Sequence, residues 1–216
     1  MSRMSIDERR RDLIDAAFRV IADHGVEGAT TRRICRQAGM PLASFHYAFE
    51  SRVALLCAVM ETAVPTDVAA LVDDVIRSTD LPANATGQIG LGMHENLQHL
   101  FGAFFELVKM DPGRPQATIS LGMYANTHVE LQHAGKRMYQ TLFVLAARAL
   151  EAAAARAQVR FVEPAENLGA IAIAGAISIT LVYLSTRDDA AINQIIDAVS
   201  RSLVLYVDDT ATSHPS

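Results

Sequence analysis

The chain has 216 residues, half of them hydrophobic, and a formal net charge of −5. Length and apolar content supply ample material for a packed core, which excludes a disordered or fibrous chain. The charge is uneven: residues 1–52 hold nine arginines against seven acids, whereas the remainder holds ten bases against seventeen acids. A cationic head on an acidic body orients a molecule towards a phosphate backbone while the body resists indiscriminate sticking.

From the N-terminus, Ser5-Ile6-Asp7-Glu8 reads as a capping box, Leu13, Ala16, Ala17, Val20 and Ile21 recur at helical spacing, and Gly25 supplies a stop. Thr30 or Thr31 caps a short second helix with Ile34 and Ala38 inward, ended by Gly39. Pro41 suits the first turn of a third helix, Phe45 and Phe49 form an apolar pair, and Ser51 caps a fourth helix carrying Leu55, Leu56, Val59 and Met60. Pro65 should bend or break that helix, Leu81 to Gly87 reads as a loop, and longer helices follow at roughly 88–110, 114–127, 129–157, 164–186 and 189–208. No run has the alternation of a strand, so the fold is expected to be all-α. The expected organisation is a head over 1–50, a body over 51–210 and a disordered tail over 211–216.

Leu168 to Leu184 is apolar on every face and must be buried in protein or lipid. The run falls short of the roughly 20 residues a membrane span needs, contains Ser178 and Thr180, and is flanked by Glu166 and Arg187-Asp188-Asp189, so no membrane helix is expected. Small residues at three- and four-residue spacing (Gly169, Ala172 and Ala176; Ala170 and Ala174) favour close helix approach. With the amphipathic last helix (Ile192, Ile195, Ile196, Val199, Leu203, Tyr206) this segment would form half of a four-helix bundle, predicting a homodimer through the last two helices. Cys35 and Cys57 lie among apolar neighbours and read as buried thiols. Met1 to Arg11 lacks the apolar stretch of a secretory signal, so a cytoplasmic location is expected.

Residues Thr30 to Phe49 make two short helices joined by a glycine turn, the pattern of a helix-turn-helix, whose second helix enters the major groove. The stretch 9–60, with Gly-Val-Glu-Gly-Ala-Thr-Thr, Ala-Gly in the turn, Phe-His-Tyr-Ala-Phe, Ser51-Arg52 and Leu55-Leu56, closely resembles the TetR-family signature. The resemblance implies an N-terminal three-helix helix-turn-helix DNA-binding domain, a larger helical ligand-binding and dimerisation domain, about nine helices in all, and a repressor released from a palindromic operator by a small molecule. Carried over, Thr30, Thr31, Ser44, Tyr47 and Arg52 match positions that hold phosphates, and Arg32, Leu42, Ala43 and His46 match positions that reach base edges. Arg32 could grip a guanine, whereas Leu42 and Ala43 suit thymine methyls or, for Leu42, simple packing. The chain departs from the common pattern by having Leu42, Ala43 and Ser44 where a Lys and a Gly or Thr are frequent, which shifts weight towards DNA shape and phosphate contacts.

Met93, Phe101, Phe104, Phe105, Met123, Tyr124, Tyr139 and Phe143 are of the type that lines an apolar pocket, so a hydrophobic or aromatic effector is expected. The His94-to-His99 stretch approaches the zinc-protease pattern but misses by one residue. Its five-residue step rotates the second imidazole by about 140°, so no metal is expected. No nucleophile turn or phosphate loop appears, so neither an enzyme nor a cofactor is expected. The competing expectation is a helix-turn-helix regulator that acts without a ligand.

Overall fold

The computed structural model describes residues 4–63 and 89–208; the expectations for Pro65, Leu81–Gly87 and the tail 211–216 lie outside them. Among the described residues there are nine helices and no strand: α1 (Ile6–Gly28), α2 (Thr31–Gln37), α3 (Leu42–Ala48), α4 (Arg52–Glu61), α5 (Ile89–Met110), α6 (Gly113–Thr127), α7 (Val129–Ala157), α8 (Ala165–Thr186) and α9 (Asp189–Val204). They form two compact units. The first takes the described residues up to Ala63 together with Asp111–Tyr139; the second takes those up to Met110 and from Gln140 onwards, so α7 contributes to both.

In the first unit the helix ends follow their local chemistry. The Glu8 amide donates to Ser5 Oγ at 3.1 Å and the Ser5 amide to Glu8 Oε2 at 2.7 Å, a complete capping box. The Ser5 amide, and after it the Ser5 hydroxyl, act on the Glu8 carboxyl and hold it below its ordinary pKa. Gly25 breaks α1 with φ 69°, and a single further turn ends it at Gly28. Thr30 caps α2, and Gly39, at φ 66°, turns the chain so that the Met40 amide reaches back to the Cys35 carbonyl at 2.9 Å, a Schellman closure. Pro41 is the cap residue of α3 rather than part of its first turn, and Ser51 caps α4 through the Ala54 amide at 3.1 Å.

Around α1 the core is Leu13, Ala17, Val20, Ile21, Ile34, Phe45, Leu55, Leu56 and Val59, all buried. α6 packs against α1 as well: Ala117 and Leu121 are fully buried, Gln116 donates to the Ala22 carbonyl at 3.2 Å, and Arg114 pairs with Asp15 at 3.0 Å above the Phe18 ring. The half-exposed ion pair contributes little by itself; the apolar burial carries this seam.

In the second unit α5 and α9 run antiparallel, since Lys109 lies 3.6 Å from Asp189 while Gln98 donates to Asp197 at 3.2 Å. Their core holds Met93, Leu97, Phe101 and Phe105 with Leu150, Leu168, Ile179, Ile192, Ile196 and Leu203. Asp188 caps α9 through the Ala190 and Ala191 amides, and the helix ends at Val204 rather than near 208, because Val207 pairs with Phe161 in an isolated bridge.

The apolar run read from the sequence extends into a 22-residue helix, α8, whose most apolar window has mean hydropathy 2.0 and is only 33% buried. By length and composition α8 could cross a bilayer. Its inner side packs tightly: a Cβ on Gly175 would lie 2.7 Å from Val199 Cγ1, and one on Gly169 would run into the Phe143 carbonyl oxygen.

Two glycines test this packing. Gly102 has open space where a Cβ would go, so Gly102→Ala should stabilise by about 0.5–1 kcal/mol through helix propensity. Gly169→Ala forces backbone apart and should destabilise by about 1–3 kcal/mol despite the same propensity gain. Urea unfolding of both variants checks the pair.

Candidate nucleic-acid interface

Seven-residue helices such as α2 and α3 do not persist alone in water, so their orientation is set by what they bury. On α3 the buried residues are Phe45 and Ala48, one turn apart; Phe45 is 1% exposed, and Phe49 just beyond brings its ring to 5.9 Å from that of Phe45. The opposite side of the helix therefore carries Leu42, Ala43, His46 and Tyr47, all exposed, with Tyr47 at 73%. Ser44 is half-buried at the edge of this face. On α2, Thr30 is exposed and accepts the Arg33 amide, Thr31 is half-buried, and Arg32 is exposed. Eight of the nine residues the sequence points to thus gather on α3 and the first turn of α2.

Arg52 does not join that face. It is half-buried, with Nε donating to the Ala29 carbonyl at 2.9 Å and Nη2 to the Val26 carbonyl, while Nη1 reaches the Tyr124 hydroxyl at 3.5 Å. Its guanidinium adds charged donors at the end of α1, where the Val26 carbonyl also accepts the Ala29 amide at 3.0 Å. Two other arginines of the cationic head behave alike: Arg10 donates to the Ala48 carbonyl and lies 4.3 Å from the centre of the Phe49 ring, and Arg33 donates to the Gly28 carbonyl at 2.8 Å.

Arg32 and Arg36 are exposed. Arg9, which the sequence reading passed over, lies 5.9 Å from the centre of the Tyr47 ring and adds a cation beside α3. Its only signal was membership of the run Arg9-Arg10-Arg11, which is equally that of a solvated helix face.

The pocket residues expected from the sequence divide between the two units. Met93, Phe101, Phe104, Phe105 and Phe143 belong to the second, where Phe105 meets Tyr183 edge-on at 5.1 Å. Met123, Tyr124 and Tyr139 belong to the first. There Met123 is 73% exposed, Tyr124 stacks on His128 with centroids 3.6 Å apart, and the Tyr139 ring fills the space above Gly122. Burial raises the Tyr139 pKa.

The first unit also has a cleft of about 210 Å³ lined by Asp15, Phe18, Arg19, Asp111, Gly113 and Arg114, away from α3. His94 is half-buried and His99 exposed, so the two imidazoles face differently, as their spacing requires. Among the described residues no three of His, Cys, Asp and Glu are grouped to hold a metal. Burial pushes the Cys35 and Cys57 thiols above their ordinary pKa, which disfavours the thiolate a reactive cysteine needs.

Residues 13–59 match the profile of the family described as bacterial regulatory proteins, tetR family. The HTH-type transcriptional regulator PksA of Bacillus subtilis (strain 168) is 32% identical over 87 residues, 40% of this chain and 42% of its own. The HTH-type nicotine-responsive transcriptional repressor HdnoR of Paenarthrobacter nicotinovorans is 44% identical over 54 residues, 25% of this chain and 28% of its own. The matches thus span less than half the length of either relative. Among solved structures, a putative TetR-family transcriptional regulator from Mesorhizobium loti MAFF303099 superposes with a TM-score of 0.65 at 16% identity, covering 95% of this chain and 99% of that one. This likeness extends the shared fold across nearly the whole chain.

Because Arg52 joins α4 to the end of α1, Arg52→Ala should lower stability by about 2 kcal/mol, the cost of leaving carbonyls without a charged donor. Arg52→Lys should recover only a minor part, since an ammonium lacks the planar fork that serves two carbonyls at once. Arg32→Ala, at an exposed position, should stay within about 0.5 kcal/mol of the parent in the same denaturant titration.

Proposed function

From the match of residues 13–59 to the tetR family of bacterial regulatory proteins we infer that this chain is a homodimeric repressor. It binds a palindromic operator and is released when a small hydrophobic or aromatic effector binds. Regulators of this family act by binding DNA and not by catalysis. The observation that carries the reading is the outward face of α3, where Leu42, Ala43, His46 and Tyr47 stand exposed because Phe45 and Ala48 are buried. That helix lies in the major groove, while Thr30, Thr31, Ser44, Tyr47 and Arg9 hold phosphates. Arg32 reaches a guanine edge, and Leu42 and Ala43 meet thymine methyls. The head over 1–50 is the DNA-binding domain, 51–210 the ligand-binding and dimerisation domain, and the protein works in the cytoplasm without crossing a membrane.

The outer stripe of α8 supports the dimer. Ala170, Ala174, Ser178 and Leu181 are exposed and Ile177 half-buried, with no charge between Glu166 and Arg187. Leu181 is 47% exposed, a cost that a second copy packed across a two-fold axis would remove. The core of the second unit, aliphatic with Phe101, Phe104, Phe105 and Tyr183, supports an apolar effector. The relative HdnoR is named as nicotine-responsive, which fits a small organic effector.

Selection from a random duplex pool should enrich an inverted repeat whose half-sites lie about 34–36 Å apart or a multiple of that. Arg32→Ala should lose about 1–3 kcal/mol of discrimination at one base pair in each half-site. Tyr47→Ala and Arg9→Ala should instead weaken all duplexes alike, and Arg9→Ala alone should flatten the salt dependence by about one phosphate contact per half-site, because an uncharged hydroxyl displaces no counterion. Failure to enrich any duplex, with weak binding even at low salt, would remove the repressor reading.

Leu181→Arg tests the dimer separately: sedimentation equilibrium should show a dimer for the parent and a folded monomer for the variant. Operator affinity should fall in parallel. A variant that remains dimeric would move the interface away from α8.

A further inference from the structure

Two buried polar atoms in the second unit have no hydrogen-bond partner among the described residues: His94 Nε2 on α5 and Ser200 Oγ on α9. Ser200 is 0% exposed. Helical hydroxyls commonly satisfy themselves by donating to the preceding turn, as Thr180 does to the Ala176 carbonyl at 2.9 Å and Ser202 to the Val199 carbonyl at 2.7 Å. Ser200 does not.

His94 Nε2 stands 3.2 Å from Asp197 Oδ1, within ion-pair range, yet it makes no hydrogen bond there. That carboxylate is already served by Gln98 Nε2 at 3.2 Å and Arg201 Nη2 at 2.7 Å.

The two unpaired atoms belong together. With α5 and α9 antiparallel, and Lys109 level with Asp189 and Gln98 with Asp197, the register carries Ser200 level with Met93 and His94. The neighbourhood is apolar, since Met93, Leu97, Ile196 and Leu203 are all buried in the same cluster. Native proteins keep few buried polar groups unpaired because each costs stability, so two on facing helices call for an explanation.

We propose that His94 Nε2 and Ser200 Oγ are the polar end of the effector site, and that they bind the oxygen of an uncharged carbonyl group on a small apolar molecule. This rests on the ligand-responsive reading above and names the chemistry of its ligand. In the tautomer that carries its proton on Nε2 the imidazole is a donor. The Ser200 hydroxyl is a second donor, and a carbonyl oxygen has two lone pairs to accept both. A carboxylate ligand would meet Asp197 at close range and is disfavoured. An ammonium would find the Asp197 oxygens already engaged. Met93, with three rotatable bonds, is the neighbour best able to make room.

The test uses the full chain and three molecules of nearly one shape: acetophenone, α-methylstyrene, in which a methylene replaces the carbonyl oxygen, and benzoate. Calorimetric titration should show acetophenone binding at least about tenfold tighter than α-methylstyrene, the effect expected of one or two hydrogen bonds, and benzoate weakest. Ser200→Ala should cut the preference for acetophenone over α-methylstyrene to within about threefold. It should also raise the Tm of the unliganded protein by about 2–4 °C, because an unpaired buried hydroxyl has gone. Equal binding of acetophenone and α-methylstyrene, binding of neither, or a fall in Tm on Ser200→Ala would each overturn the assignment. An effector that releases the selected operator equally from the parent and from Ser200→Ala would overturn this site while leaving the repressor reading intact.

Discussion

Burial of Phe45 is the constraint on which the interface depends. α3 has only seven residues and no side-chain cap at its start, so nothing intrinsic fixes its rotation about its own axis. Placing Phe45 and Ala48 against α1 fixes it, and the periodicity of the helix then leaves Leu42, Ala43, His46 and Tyr47 outside. Full burial of a ring of that size is worth about 1.5–3 kcal/mol, more than a short helix contributes by itself. In the proposed regulator, specificity therefore rests on an apolar contact that touches no DNA. The Gly39 turn serves the same end: its left-handed backbone, together with the Met40-to-Cys35 hydrogen bond, sets the angle at which α3 leaves α2.

The cationic head contains two populations of arginine. Arg10, Arg33 and Arg52 direct their guanidinium groups at backbone carbonyls of the first unit, where a charged donor strengthens the hydrogen bonding at the ends of α1 and α3. Arg9, Arg32 and Arg36 remain to project a positive field outwards. The excess of positive charge in residues 1–52 thus overstates the charge presented at the surface and understates the electrostatic contribution to the fold. α6 belongs to the same compact unit as α1–α4, so a change felt by α6 is felt within the unit that carries the proposed DNA-binding face.

What was legible in the sequence was local. The capping box at Ser5, the caps at Thr30 and Ser51, the glycine turns and the breaks near 111–113, 128 and 188 all depend on residues within about four positions of one another, and each stands where its chemistry puts it. What was not legible was distant. Arg52 bonds carbonyls 23 and 26 residues back and a hydroxyl 72 residues ahead, and no spacing rule reports such partners. Met123 and Tyr124 share composition with pocket residues, but composition does not say which face of α6 a side chain occupies, and Met123 lies outward. The last helix stops at Val204 although apolar residues continue through Leu205 and Tyr206, because the bridge between Phe161 and Val207 turns the chain there.

The claim that α3 reads the major groove is tested most directly by a single-site cross-link. Ala43→Cys places a thiol on the exposed face of α3, while both native cysteines lie at least half-buried in the fold. The variant is combined with the selected operator carrying a disulfide-activated tether on the major-groove edge of one cytosine in turn. The account predicts efficient coupling at one or two positions in each half-site, symmetric about the operator centre. Tethers in the minor groove should give none. Coupling scattered evenly over the duplex, or confined to minor-groove tethers while affinity is retained, would contradict it.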